Sequence, residues 1–271
     1  MTDSSPLYEL VDTVHGRMLV NPQDIYIGSA LKEYGEAMFL EWKLLNQLIE
    51  KGDCVLDVGA NIGVHSLAFA KAVGPRGGVW AFEMQNAVFQ NLCANIALND
   101  LENVFAYQTI ISDHAQSCRV RNLSMRHQNN FGGISADVIH SKDGPQKLFM
   151  HSLDEICSHV RVKLIKIDIE GMELVALKGA REIIEKSRPI LYIENDRKDA
   201  ETELVQHILD LDYRIWVHWP RLFNPDNING VKENNIGNFI SKNILCQPRE
   251  NARPVGQLAE ITDVAQLANF P

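Results

Sequence analysis

No apolar run in the sequence approaches the roughly 18 residues needed to cross a bilayer, so no membrane span is expected. Nor is there a basic excess. The 26 lysines and arginines face 35 acids, a formal charge of −9 that disfavours an electrostatically driven nucleic-acid partner or a polybasic membrane anchor. Cysteine is scarce: five residues (Cys54, Cys93, Cys118, Cys157 and Cys246), odd in number and without a C-x-x-C pair. That excludes a disulfide framework or a zinc ribbon and predicts reduced thiols in the cytoplasm. The first six residues hold neither a basic nor an apolar stretch, so no secretory signal is expected. Internal repeats and low-complexity tracts are missing as well. What remains is an ordinary globular composition, 45% hydrophobic and 23% charged over 271 residues, enough for one large α/β core.

The pattern along the chain divides it into three parts. Residues 1–51 predict a hairpin around His15-Gly16-Arg17, a short strand at Tyr26-Ile27, and an amphipathic helix over 36–51, all packed on the core. Residues 52–247 alternate strands (54–58, 79–83, 104–111, 163–169, 190–194, 213–217, 243–246) with helices (64–73, 86–99, 172–186, 200–211). Such repetition predicts a mainly parallel sheet with helices on both faces and right-handed crossovers. A β/loop insertion at about 115–150, with strands at 118–123 and 146–150, interrupts the rhythm, and residues 219–238 form a long polar, lid-like loop. The tail, 248–271, reads as weakly ordered apart from a helical turn at 264–268.

In such sheets ligands bind beyond the carboxyl ends of the strands, so residues at strand ends matter most. Leu56-Asp57-Val58-Gly59-Ala60-Asn61-Ile62-Gly63 leaves a strand and enters a helix. Its glycines allow a tight turn and close approach of a ligand. The pattern is D-x-G-x-N-x-G, not the dinucleotide fingerprint, because Asn61 replaces the second glycine and no third follows. Asp57 disfavours a pyrophosphate beside the loop and suits a ligand bearing an ammonium and a sulfonium, as S-adenosyl-L-methionine (SAM) does. Glu83, 20 positions after Gly63 at the next strand end, is placed to accept hydrogen bonds from ribose hydroxyls.

A second cluster is Lys166, Asp168 and Glu170, alternating with isoleucines so that the charges share one strand face. The structural reading is an ion pair plus a helix cap. The functional reading has the three facing a transferred methyl, Asp168 as base or alcohol-positioning group, Glu170 second and Lys166 tuning the pair.

These segments, with Tyr34-Gly35-Glu36, Ala81-Phe82-Glu83, Asn130-Phe131-Gly132-Gly133, Leu153-Asp154-Glu155, Ile165-Lys166-Ile167-Asp168-Ile169-Glu170-Gly171 and Pro189-Ile190-Leu191-Tyr192-Ile193-Glu194, resemble the FkbM family of SAM-dependent methyltransferases over about residues 26–247. The resemblance implies the class I, Rossmann-like fold: a mostly parallel seven-stranded sheet with an antiparallel last strand. It also implies methylation, usually of a hydroxyl, on a small molecule, sugar or glycan. Carried over residue by residue, it places Glu36, Asp57, Gly59, Ala60, Asn61, Gly63, Glu83 and Met84 at the cofactor. Met84 departs from the proline common at that position.

Some O-methyltransferases of this fold, the catechol type, hold a divalent metal at the ends of the fourth and fifth strands. Asp168, Glu194 and Asn195 are the corresponding candidates for Mg²⁺ here. For the acceptor, Asn130 lies in one candidate loop; His218, beside Trp216 and Trp219, opens another that contains Arg221 and Asn224. Aromatic faces with amide and guanidinium donors suit a carbohydrate. Two other functions are weighed: an NAD(P)-binding oxidoreductase and a non-catalytic SAM-binding module. The sequence is also compatible with a homo-oligomer.

Overall fold

The computed structural model describes residues 6–197, 200–256 and 258–269. Met1 to Ser5, from which no secretory signal is expected, lie outside the described residues. Strands β1 (Glu9–Thr13) and β2 (Gly16–Val20) form the expected hairpin. Tyr26-Ile27 does not form a strand. Helix α1 (Ile27–Tyr34) begins there, burying Ile27, Ala30, Leu31 and Tyr34 at helical spacing and ending at the left-handed Gly35. The helix expected over 36–51 shrinks to α2 (Phe39–Leu45), because Met38 takes a left-handed conformation immediately before it.

The core then follows the sequence pattern closely: β3 (Cys54–Val58), α3 (Val64–Val73), β4 (Gly78–Glu83), α4 (Asn86–Leu98) and β5 (Val104–Gln108). Buried Asn95 on α4 and half-buried Asn99, its C-cap, hydrogen-bond to Leu19 and Arg17, which pins the β1–β2 hairpin to the core. The strand expected to run to residue 111 breaks at Thr109, whose hydroxyl donates to the Phe149 carbonyl. Beyond the break, β6 (Ile110–Ile111), β7 (Gln116–Val120), α5 (Ala136–Ile139) and β8 (Gln146–His151) form the insertion, a small sheet in the order β6-β8-β7.

Helix α6 (Leu153–Cys157), opened by a Ser152/Glu155 capping box, leads to β9 (Val162–Ile167). The helix expected over 172–186 is two, α7 (Glu173–Lys178) and α8 (Arg181–Ser187). They part at Gly179, where a Cβ would overlap the Ser112 carbonyl oxygen. The chain ends with β10 (Ile190–Glu194), α9 (Glu201–Asp210), β11 (Tyr213–His218), β12 (Asn243–Pro248) and β13 (Glu260–Ile261).

The main sheet runs β13-β11-β12-β10-β9-β3-β4-β5. Strands β10, β9, β3, β4 and β5 are mutually parallel, and β12 is antiparallel to both its neighbours. The sheet therefore has eight strands where seven are expected. The tail supplies the extra one, because Ile261 is buried and pairs with Ile215, so this part of the tail is tied down. From β3 the chain builds outward one way through β4 and β5, and from β9 the other way through β10. The carboxyl ends of β3 and β9 thus flank the point where strand order reverses.

Candidate active site

A cavity of about 1070 Å³, counting its open mouth, lies at that reversal point. Three of the six non-glycine residues with left-handed φ among the described residues, Met38, Asn61 and Glu170, line it. Backbone held in this sparsely populated region costs free energy and concentrates at functional sites.

The turn after β3 forms the floor. The N–H groups of Gly59 and Ala60 both donate to the Phe82 carbonyl, and Asp168 N–H donates to the Val58 carbonyl at 3.0 Å. Gly59 is required twice over: its φ is +81°, and a Cβ there would overlap the Asp168 carbonyl oxygen. Glu83, at the end of β4, accepts from Asn61 N–H at 3.0 Å and from Gln85 N–H at 2.7 Å. Burial raises its pKa to about 7, against the opposing pull of the Gln85 and Asn61 N–H bonds. A carboxylate held this way has lone pairs left for a diol. Ala60 and Met84 also line the cavity, as do Thr109, Ile110 and Ile111, which offer an apolar slot beyond Glu83.

Asp57, Gly63 and Glu36 do not line the cavity. Asp57 is wholly buried behind the floor, accepts from the Ser66 hydroxyl at 2.5 Å, and has one oxygen, Oδ1, with no hydrogen-bond donor. Gly63 is the left-handed residue that starts α3 and packs on Leu92 and Leu67. Glu36 accepts from the Asn224 amide at 2.8 Å, which ties the N-terminal segment to the loop before β12.

Lys166 reaches the cavity from β9 at 3% exposure, with its Nζ 3.0 Å from Asp168 Oδ2 and 3.8 Å from Asp57 Oδ1. Burial works to lower its pKa, but Asp168, Asp57 and Glu41 outweigh burial and raise it, so the ammonium is firmly charged. Among the described residues it is the only buried lysine or arginine. Glu41, from α2, was not anticipated. It is 2% exposed, lies 3.7 Å from His65 Nε2, and keeps one oxygen without a donor. The signal was available: Glu41 precedes Leu45 and Leu48 by helical spacing, which puts an acid on the buried face of a helix. Its pKa is raised to about 7 by burial, which Lys166 partly counters.

Three carboxylates crowd the mouth. Oxygens of Asp168, Glu170 and Glu194 lie within 4.8 Å of one another. Burial first, then the surrounding acids led by Asp168, raises the Glu194 pKa, so Glu194 is a neutral acid near pH 7. The donor set does not favour Mg²⁺. Glu170 is paired with Arg197 at 2.8 Å and Asp168 with Lys166, so two of the three already hold a cation. Asn195 turns its amide to Glu201 and is not on the cavity wall.

Of the acceptor candidates only Asn130 faces the cavity, where its side-chain oxygen accepts from Gly133 N–H. Its loop is strapped across the cavity by the Gln85 amide, which donates to the Phe131 carbonyl at 2.7 Å. His218 instead meets the Tyr192 hydroxyl at 2.8 Å, and burial lowers its pKa to about 4. Arg221 is exposed and bridges to Ile240. The loop at 219–238 packs Leu222, Phe223 and Val231 into one apolar cluster with α1, and none of its residues is on the cavity wall. Tyr26 and Phe239, rings 4.7 Å apart, and Ser241 complete the wall and were missed by the sequence reading. They come from segments far apart in the chain, and no local pattern marks them.

Comparison with known proteins agrees with this geometry. The Methyltransferase FkbM domain matches residues 57–215. No curated protein matches the chain. Among solved structures, the FkbM methyltransferase from Methylobacillus flagellatus KT superposes with a TM-score of 0.51 at 19% identity, covering 73% of this chain and 44% of that one. Trm5b from Pyrococcus abyssi gives 0.50 at 14% identity, over 90% and 56% of the two chains. The chain thus spans under half the length of the first of these relatives, and at such identities the likeness is one of fold. Because the matched domain runs from Asp57 at the end of β3 into β11 and takes in more than half of the sequence, the chain belongs to the FkbM methyltransferase family.

Proposed function

We propose that the protein transfers a methyl group from SAM to a hydroxyl of a small molecule, sugar or glycan. The observation that carries the reading is Asp168. It stands at the reversal point, half an ion pair with Lys166, on the wall of a cavity whose floor is the Gly59 turn. The residues fit SAM. Gly59 leaves a cradle that a Cβ would fill, Glu83 offers a buried acceptor for the ribose hydroxyls, and Lys166, His65 and Ser241 on the wall would hold the methionine end. Bound there, SAM supplies an electrophilic methyl on a positively charged sulfur.

Asp168 then orients the acceptor hydroxyl and takes its proton as the oxygen–carbon bond forms. Lys166 holds the Asp168 carboxylate in place, and Glu194, as a neutral acid, donates a hydrogen bond to an acceptor oxygen. Tyr26, Phe239 and the strapped Asn130 loop exclude water around the acceptor. A dinucleotide-binding oxidoreductase would need the third glycine of the pyrophosphate turn, which the Gly59-Ala60-Asn61-Ile62-Gly63 loop lacks. Incubation with methyl-labelled SAM and fractionated extracts tests the reading. Label in a hydroxyl-bearing metabolite or glycan is expected, and label on nitrogen or in nucleic acid alone would overturn the acceptor class.

A further inference from the structure

Buried Asp57 and Glu41 and the partly exposed Asp168 gather around one buried lysine, leaving an excess of two carboxylates over ammonium groups. Their hydrogen bonding is incomplete. Asp57 Oδ1 and Glu41 Oε1 have no donor, and neither does His65 Nε2, which stands 3.7 Å from Glu41 and belongs to a residue on the cavity wall. His65 adds no positive charge, since burial and then Lys166 lower its pKa well below the usual value. Buried groups of this kind destabilise a protein unless a partner satisfies them. A cation in the cavity, on whose wall Lys166, Asp168 and His65 stand, would offset this excess charge.

SAM and its demethylated product, S-adenosylhomocysteine, differ in one respect that such a region senses. The donor has a sulfonium, the product a neutral thioether. As the acceptor oxygen bonds to the methyl carbon, the carbon–sulfur electron pair stays on sulfur and the hydroxyl proton passes to Asp168, so the ligand loses one positive charge. We infer that Glu41 is a specificity-determining residue that tilts the cavity toward the sulfonium form and against the thioether product. The inference rests on the reading that the cavity binds SAM. Glu41 does this from behind Lys166 and His65 without touching the reacting atoms. It lies on α2, outside the segment matched by the family domain. Asp57 is held by Ser66 and Asp168 by Lys166. Glu41 has Ser241 and Asn243 as hydrogen-bond partners, yet its Oε1 keeps no donor.

The test is calorimetric binding of SAM, S-adenosylhomocysteine and sinefungin, a stable analogue with an amine in place of the methyl sulfonium. It is run at pH 8, above the value of about 7 for Glu41. The wild type should bind sinefungin at least about threefold more tightly than S-adenosylhomocysteine, a modest effect for charges interacting at low dielectric. In Glu41→Gln, SAM and sinefungin should weaken by about threefold or more and the thioether by less than about twofold, while Glu41→Asp keeps the wild-type ratio. Equal weakening of all three ligands would mark Glu41 as structural only and overturn the inference. Should the Gln variant not fold, equal wild-type affinities for sinefungin and the thioether overturn it alone. A wild type that binds none of the three would instead overturn the SAM reading on which the inference stands.

Discussion

Gly59 and Asp168 touch backbone to backbone: the Asp168 carbonyl oxygen occupies the place a Gly59 Cβ would take. The turn proposed to cradle the methyl donor and the carboxylate proposed to face the acceptor therefore form a single joint. Gly59→Ala must push β3 and β9 apart at their ends and also hold an alanine at positive φ. We expect a loss of about 3 kcal/mol or more in denaturant-measured stability, together with loss of SAM binding. Wild-type stability and affinity in that variant would show the joint to be dispensable.

Glu83 holds Asn61 and Gln85 through their N–H groups while facing the cavity. Its carboxylate should carry ribose recognition, so Glu83→Gln should weaken SAM by about 1.5–3 kcal/mol, the range for hydrogen bonds to a charged group. The pH dependence has a definite sign. With its pKa raised from 4.5 to about 7, Glu83 takes up a proton as pH falls through 7, and a protonated acid accepts less well. SAM affinity of the wild type should fall as pH is lowered from 8 to 6, and the Gln variant should lack that component; identical profiles in titration calorimetry would remove Glu83 from the ribose site.

Asp168→Asn keeps the shape of the side chain and removes the base. Cofactor binding should stay near wild type while turnover drops on the order of 10²–10⁴-fold, the usual worth of general acid–base help. With Glu170 and Asp168 already paired to Arg197 and Lys166, chelators should leave wild-type turnover unchanged. Turnover abolished by EDTA and restored by Mg²⁺ would reverse that reading of the carboxylates.

The buried acid on α2 makes a stability prediction independent of catalysis. Glu41 has a folded-state pKa of about 7 against the usual 4.5, so the folded protein binds this proton more tightly than the unfolded chain. Its contribution is complete below the unfolded value and is lost as pH rises through 7. Glu41→Gln has no such loss. The stability of the variant relative to wild type, measured without ligand, should rise by up to about 3 kcal/mol between pH 4.5 and 8. A difference that does not change with pH would mean that Glu41 is not held as a buried acid.

The core could be read from the sequence because its signals are local. The apolar run at Cys54–Val58, the glycine turn after it and the helix at Val64–Val73 each announce themselves over a few residues. Lys166 and Asp168 could be read for the same reason: alternating charges in a buried strand need a partner, and they found each other. Failures came where distant contacts decide. Ile261 pairs with Ile215 although nothing near residue 261 marks a strand. Left-handed Met38 delays to residue 39 a helix that amphipathic spacing alone would have begun at residue 36. The amide of Asn224 is drawn to Glu36 across 188 residues of chain, where sequence suggested a sugar.

That last tie joins a segment before the family-matched domain to one after it. Tyr26 and Met38 enter the cavity from before the family-matched segment, Phe239 and Ser241 from after it. The wall an acceptor would meet is thus partly written in sequence outside the segment that the family domain matches. Such a wall can be rewritten while the methyl-donor machinery stays fixed, and two chains alike in every diagnostic residue can be expected to part company over what they methylate.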